Sequence, residues 1–374
     1  MILVAIALCL LILLGIIENQ LHSRALSKIP LRILVNGTRG KTTVTRMVAS
    51  VLNTAGIRTF AKTTGSEARR IFPDGSECAY RKHRLVSMME QLPFVRLAVK
   101  GKAQAIVVEC MALRLENQRL MAQKLVKPHY VLMTNVFVDH VEEIGKTEEE
   151  TVYVLANSIA DKSTVIAQDE RFRPYSERLL VPTEAVPTEA VPTEAFAHCA
   201  FPMHDENLKL VLTLAKELHI SQENAIRGIL NAKPDIGMQH AFHAQNCRIW
   251  NAFAANDPAS FSAALDECAQ HGPYHLLFNH RKDRAYRLEA FAQALQRSAV
   301  PPQSIGVIGE DKPWAARYMT RITHIPAQAI SDPLAWAHAL GSEAAESQLL
   351  CAGNIKGEGH LFLDQLIKEA QANV

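Results

Sequence analysis

Gly37-Thr38-Arg39-Gly40-Lys41-Thr42-Thr43 sets two glycines, a lysine and three hydroxyls in the order GxxGKT. An apolar run, Leu31 to Asn36, precedes it, and a helix-period stretch, Lys41 to Ala55, follows and ends near Gly56. Buried strand, glycine turn and helix start are the setting in which backbone N–H groups and a helix N-terminus hold phosphate oxygens. There Lys41 would neutralise the outer phosphates and the Thr42 hydroxyl would face Mg²⁺. The spacing departs from the common phosphate loop, because Val35 rather than glycine stands six residues before Lys41. The competing reading is an ordinary helix-capping turn; the strand-turn-helix context favours phosphate.

Two later segments supply groups that such a site uses. The apolar strand Ala105 to Glu109 ends in a carboxylate, and the carboxyl ends of strands are where α/β sheets bind ligands. A hard oxygen ligand there suits Mg²⁺. Thr134-Asn135-Val136-Phe137-Val138-Asp139-His140 follows the next strand, His129 to Asn135, in the same way, and His140 can hold a metal as neutral imidazole. Each signal alone is weak, since an acid or a histidine at a strand end is commonly just solvated. Together they converge on one sheet edge.

The elements that must position these residues are α/β in pattern. Strands and helical segments alternate from residue 28 to about 240, and the alternation restarts at Cys247. The later strands are Arg248 to Phe253, Tyr274 to Asn279, Ser304 to Ile308 and Gln348 to Ala352. The helices are Ala259 to Ala269, Tyr286 to Gln296, Pro313 to Thr320 and Leu361 to Ala370. Two doubly wound domains, 28–240 and 241–374, with Met238 to Asn246 between them, would make a ligand cleft. A tandem repeat, Val-Pro-Thr-Glu-Ala three times over 181–195, interrupts the first. Proline every fifth residue forbids continuous helix or a central strand, so it reads as an extended surface insertion.

Composition fits a folded protein: 48% hydrophobic, 21% charged, with 40 Lys+Arg against 38 Asp+Glu. Disorder and a highly basic nucleic-acid binder are excluded. Seven scattered cysteines without a CxxC pair match neither a disulfide framework nor a zinc ribbon and point to a reducing compartment. His240 with His243, and His271, His275 and His280, lack zinc-type companions and read as core or surface residues. Ile2 to Ile17 is apolar apart from one glycine and reaches about 24 Å as helix. With bilayer thinning or snorkelling flanks it can span. No basic residue precedes it and no Ala-x-Ala-like site follows, against a cleaved signal peptide. Arg24, Lys28 and Arg32 place the body on the cytoplasmic side of a single-pass anchor over residues 1–20.

The order Gly-Thr-x-Gly-Lys-Thr, a strand ending in Glu, then Thr-Asn-x-x-x-Asp-His resembles the Mur ligase superfamily, ATP-dependent amide ligases that include muropeptide and folylpolyglutamate synthases. Gly37 to Arg46, Asn251-Ala-Phe-Ala-Ala-Asn-Asp-Pro258, Asn279-His-Arg-Lys-Asp-Arg284 and Gly353-Asn-Ile-Lys-Gly357, with the N-terminal apolar segment, are similar to one branch: the catalytic subunits of capsular poly-γ-glutamate synthases. The likeness runs from about Ile33 to the C-terminus, without the repeat. It implies a central P-loop ATPase domain and a C-terminal Rossmann-like domain that close over nucleotide and substrate. Lys41 and Thr42 would bind phosphates and Mg²⁺, Glu109 and His140 would be metal ligands, and Lys41, Glu109 and His140 would be the catalytic residues. Asn135 would lie beside the phosphates, and Asn251, Asn256 and Asp257 would reach the nucleotide from the second domain. Arg281, Asp283 and Arg284 would meet acidic substrate or phosphate, or form only a solvated loop.

The lysine that cell-wall Mur ligases carry, often carbamylated, about 15 residues after the histidine falls here near Leu155, with Lys162 farther along. Only about 30 residues precede the loop, so a nucleotide-sugar-binding first domain and a muropeptide substrate are not expected. The resemblance implies ATP-dependent γ-linked polymerisation of glutamate, with the growing chain, the membrane and small membrane subunits of an export route as partners, and leaves a homo-oligomer open. The rivals are another amide ligase, such as one extending a folate with glutamate, and a membrane-tethered P-loop kinase or partitioning-type ATPase. A non-enzymatic scaffold would leave the phosphate-loop chemistry unused.

Overall fold

The computed structural model of the chain describes residues 2–65, 68–80, 87–138, 143–182, 205–233, 241–244, 247–253, 255, 258–343 and 347–372. They fall into two compact units, one ending at Lys233 and the other holding everything from Ala241 on.

The first unit opens with α1 (Ile2–Leu26), β1 (Leu31–Asn36), α2 (Lys41–Thr54), β2 (Thr59–Thr63), β3 (Arg69–Ile71), β4 (Glu77–Ala79), α3 (Gln91–Lys100) and β5 (Ala105–Glu109). It continues with α4 (Leu115–Leu120), a π-helical turn (Met121–Val126), β6 (Tyr130–Met133), α5 (Glu148–Ala156), β7 (Thr164–Ala167), β8 (Arg178–Leu180), α6 (Asp205–Glu217) and α7 (Gln222–Leu230). Its sheet runs β4-β3-β2-β5-β1-β6-β7-β8, parallel except for the short β3, which pairs antiparallel with β2 and β4 at one edge. Near-continuous apolar strands such as AIVVE and TVIA are what a sheet covered on both faces requires. From β1 the chain goes to β2 and back to β5 on one side, then crosses to β6 on the other. The end of β1 is therefore the switch point, where α/β sheets open a crevice.

The second unit contains β9 (Ala241–Ala244), β10 (Cys247–Asn251), α8 (Pro258–Ala269), β11 (His275–His280), α9 (Ala285–Arg297), β12 (Ile305–Gly309), α10 (Lys312–Thr323), β13 (Ala327–Ala329), α11 (Pro333–Glu343), β14 (Ser347–Gly353) and α12 (Glu358–Ala372). Its sheet order is β13-β12-β11-β14-β10-β9, with only β9 antiparallel. Two apolar clusters, one around Phe261, Phe278 and Phe291 and one around Phe253, Leu277 and Phe362, fill it.

Two elements differ from expectation. The strand read over His129 to Asn135 is only Tyr130–Met133, because Thr134 and Asn135 turn to bind the loop after β1. The helix that begins in the apolar run does not stop at Ile17 but continues to Leu26. Its last two turns dock: Glu18 pairs with Arg96 at 3.2 Å, buried His22 bonds through Nε2 to the Leu125 carbonyl at 2.9 Å, and Leu26 enters the core. Ile2 to Ile17 stays exposed, long and apolar enough to cross a membrane. Leu155 is packed in the core and Lys162 is exposed in a turn. The repeat beyond Pro182, and His240, lie outside the described residues.

Candidate active site

The loop after β1 is shaped by two glycines in conformations that other residues rarely adopt. Gly37 has φ +126°, and a Cβ there would stand 2.1 Å from the Thr134 hydroxyl and 2.9 Å from the Thr134 nitrogen. Gly40, φ +79°, precedes α2 in the left-handed region, and a Cβ there would stand 2.9 Å from the Asn207 amide. Gly37 lets backbone approach backbone closely, and Gly40 makes room for the Asn207 side chain. Gly40 caps α2 without a side-chain hydrogen bond, so the first N–H groups of the helix are left for a ligand.

Asn135 clamps the loop. Its Oδ1 accepts from the Thr38 hydroxyl at 2.6 Å and the Arg39 N–H at 2.9 Å, and its Nδ2 donates to the Arg39 carbonyl at 3.1 Å. The Thr134 hydroxyl donates to the same carbonyl at 2.5 Å. Asn36, at the end of β1, is buried and donates to Gln118 and Ser158, both at 2.8 Å, which fixes the start of the loop. Lys41 folds over it, its ammonium donating to the Gly37 carbonyl at 2.6 Å and the Thr38 carbonyl at 3.2 Å. Thr43 is buried.

Glu109 stands in register with Val35, at the adjacent strand end. Its Oε2 accepts from the Thr42 hydroxyl at 3.0 Å and from the Thr64 N–H at 2.7 Å. The side chain is almost fully buried, and burial pushes its carboxyl up, opposed by the nearby Lys41 charge and the Thr64 amide. A hydroxyl and a buried carboxylate sharing one spot beside a lysine form a hard-oxygen donor set that fits a divalent cation, and the cradle of glycines and helix N–H groups fits a phosphate chain.

The other sequence-predicted residues belong to the second unit or lie outside the described residues. Asp139 and His140 lie outside the described residues, as do Asn256 and Asp257. Asn251 ends β10, buried, its Oδ1 accepting from the Phe253 N–H at 3.3 Å. Arg281 and Asp283 follow β11 and pair with each other at 2.5 Å; of Arg284 only the backbone is described, in the single turn Lys282–Arg284. Sequence reasoning missed Thr64 and Asn207, and gave Thr134, the first residue of its motif, no role. For Thr64 a signal existed, since α/β alternation requires a strand after Gly56, and that strand delivers it. Nothing local marks Asn207, which reaches Gly40 from the start of α6.

Comparisons with known proteins show what the chain is similar to. A model of the Mur ligase middle domain matches residues 35–178, and a model of the poly-gamma-glutamate synthase CapB C-terminal domain matches residues 238–369. The capsule biosynthesis protein CapB of Bacillus anthracis is 30% identical over 307 residues, 78% of this chain and 66% of that protein. The PGA synthase CapB of Bacillus subtilis (strain 168) is 30% identical over 308 residues, 78% of this chain and 77% of that protein. Among solved structures, the bifunctional folylpolyglutamate synthase/dihydrofolate synthase of Yersinia pestis, complexed with AMPPNP and Mn, superposes with TM-score 0.66 at 15% identity, covering 96% of this chain and 93% of that one.

Proposed function

The chain belongs to the CapB family of poly-γ-glutamate synthases, ATP-dependent amide ligases built on the Mur ligase fold, and from this premise we propose that it polymerises glutamate through γ-carboxyl linkages. A γ-carboxylate at the chain end attacks the terminal phosphorus of ATP, giving an acyl phosphate and ADP. The amine of the next glutamate then attacks the acyl carbon, an amide forms and phosphate leaves. The carboxylate is already a nucleophile, so the protein supplies no covalent one; it supplies charge neutralisation and alignment.

The observation that carries this reading is the Thr42 hydroxyl held 3.0 Å from Glu109 beneath the glycine loop. Thr42, Glu109 and His140 would hold Mg²⁺, which adds positive charge beside the transferring phosphoryl group. Gly37 to Thr43 would surround the phosphates, with Asn135 keeping the loop in shape. Lys41 would exchange the Gly37 and Thr38 carbonyls for phosphate oxygens. Asn251, Asn256 and Asp257 would reach the nucleotide, and Arg281, Asp283 and Arg284 the acidic substrates. The helix Ile2–Leu26 would anchor the catalytic body to the cytoplasmic face of the membrane, beside small subunits of a capsule export route.

Membranes containing the protein, given ATP, Mg²⁺ and labelled L- or D-glutamate, should yield a γ-linked oligomer. Labelled protein in place of oligomer would favour the kinase reading. Lys41→Ala should lower glutamate-dependent ATP hydrolysis by orders of magnitude, as removal of transition-state charge stabilisation does. Wild-type turnover in that variant would sink the assignment.

A further inference from the structure

The strand ends around Glu109 carry more polarity than the phosphate chemistry uses. Lys62, in β2, is 0% exposed, although its backbone pairs with Val108, one residue before Glu109. Its ammonium lies 3.2 Å from Glu90 Oε2 and 5.4 Å from the centre of the Tyr80 ring, yet makes no hydrogen bond among the described residues. The same holds for Glu90 Oε2, for Gln91 Oε1 at the start of α3, for the Thr63 hydroxyl and for Arg70 Nε, whose guanidinium lies 4.1 Å over the Tyr80 ring. Lys62 and Glu90 are thus held by their ion pair alone, and with the Thr63 hydroxyl and Arg70 Nε unbonded among the described residues, this strand end has polar groups to offer a ligand.

The charges say which kind. Arg46 is bonded to Glu77 through both ends of its guanidinium, and Arg69 stands 3.8 Å from the same carboxylate. Lys62 and Arg70 flank the Tyr80 ring with Glu90 as the carboxylate at ion-pair distance from Lys62, and the Glu109 carboxylate is already held by Thr42 and Thr64, so these two cations can take a further anion. This cationic group begins at the reacting edge: two residues after Lys62, the Thr64 N–H holds Glu109. Burial lowers the Lys62 pKa, with Glu90 and Glu109 opposing, so a further anion would favour its charged form.

We propose that Lys62, with Arg70 beside it, receives the α-carboxylate of the γ-glutamyl chain end and so leaves the γ-carboxylate as the group that reaches Thr42 and Glu109. The inference rests on the polymerisation reading above and deepens it. A terminal glutamate offers two carboxylates, and γ-linkage requires that one be held away from the phosphoryl group. Lys62 is then a specificity residue, and Glu90 is an internal stand-in that the substrate displaces.

The test compares two acceptors, a γ-glutamyl oligomer with its natural end and the same oligomer with the terminal α-carboxylate converted to an amide. The wild-type protein should prefer the natural end by about 10–100-fold in kcat/KM, the range for one hydrogen bond to a charged group. Lys62→Met should bring the two acceptors within about threefold, Lys62→Arg should restore most of the preference, and nucleotide binding should be unchanged in both. Glu90→Gln, which removes the competing carboxylate, should lower KM for the natural end, whereas a purely structural ion pair would leave it unmoved. Equal use of both acceptors by the wild type, or an undiminished preference in Lys62→Met, overturns the proposal. If Lys62→Met does not fold, the wild-type comparison and the direction of the Glu90→Gln effect still decide it. Absence of γ-linked product from either acceptor would instead remove the polymerisation reading.

Discussion

Gly37 and Glu109 set the tolerance of the site from opposite directions, one through backbone and one through charge. A methyl group at Gly37 would have to enter the Thr134 hydroxyl and backbone while holding φ at +126°. Gly37→Ala should therefore cost about 2–4 kcal/mol and abolish nucleotide binding, read by thermal melting and a fluorescent ADP analogue. The Glu109 carboxyl titrates above its usual range because it is buried. With the folded pKa raised above the unfolded value of about 4.3, its contribution to stability is complete below that pH and is lost as pH climbs through the folded value. A divalent cation reverses this by favouring the ionised form. The rise in melting temperature on adding Mg²⁺ should then be larger at pH 8 than at pH 5, and Glu109→Gln should flatten the difference. An equal Mg²⁺ effect at both pH values would mean that the cation does not meet Glu109.

The loop holds its shape because the elements under it approach closely. Gly228 in α7 faces α2, and a Cβ there would stand 2.5 Å from the Val51 Cα, so the helix carrying Lys41 and Thr42 is seated on bare backbone. Gly228→Ala should push α7 away and lower stability by about 1–3 kcal/mol, seen as a reduced denaturant midpoint, with a weaker affinity for nucleotide as α2 loosens. How far such elements could be read from the sequence follows from where their information lies. β1 and β5 were legible residue for residue, because a fully buried parallel strand is an apolar run with a polar stop. The strands β10, β11, β12 and β14 begin and end within two residues of their expected limits for the same reason. β2 was not legible: Lys62 interrupts its apolar pattern, and a buried lysine reads locally as a surface one. The end of β6 was misread because Thr134 and Asn135 are β-compatible by type but are drawn off by the loop. Glu109 could be placed beside Thr42 from strand order alone, whereas Asn207 depends on a contact from some 170 residues away that no local spacing encodes.

At the scale of the molecule, the last turns of the apolar helix are built into the first unit. Arg32 secures the joint, donating from Nη1 to the Leu26 carbonyl at 3.2 Å and the Ile29 carbonyl at 2.8 Å, and from Nε to the Lys127 carbonyl at 2.8 Å. It thereby closes the C-terminal end of α1, where cations are favourable, onto the turn that precedes β6. Lys127 also donates to the Ser23 hydroxyl at 3.1 Å. The two halves of α1 should consequently behave differently on truncation. Removal of residues 2–17 takes away only exposed apolar surface and should release the protein from membranes into the soluble fraction with its melting temperature nearly unchanged. Removal through Leu26 uncovers Ile29 and the core beside Leu125, takes the Leu26 carbonyl from Arg32 and empties the place of a fully buried leucine, which should lower stability by about 2–5 kcal/mol. Alkaline extraction of membranes followed by melting of both truncated proteins separates the two effects. Loss of stability in the shorter truncation would show that the apolar half packs on the body rather than entering lipid, and retention of full stability in the longer one would show that the joint holds nothing.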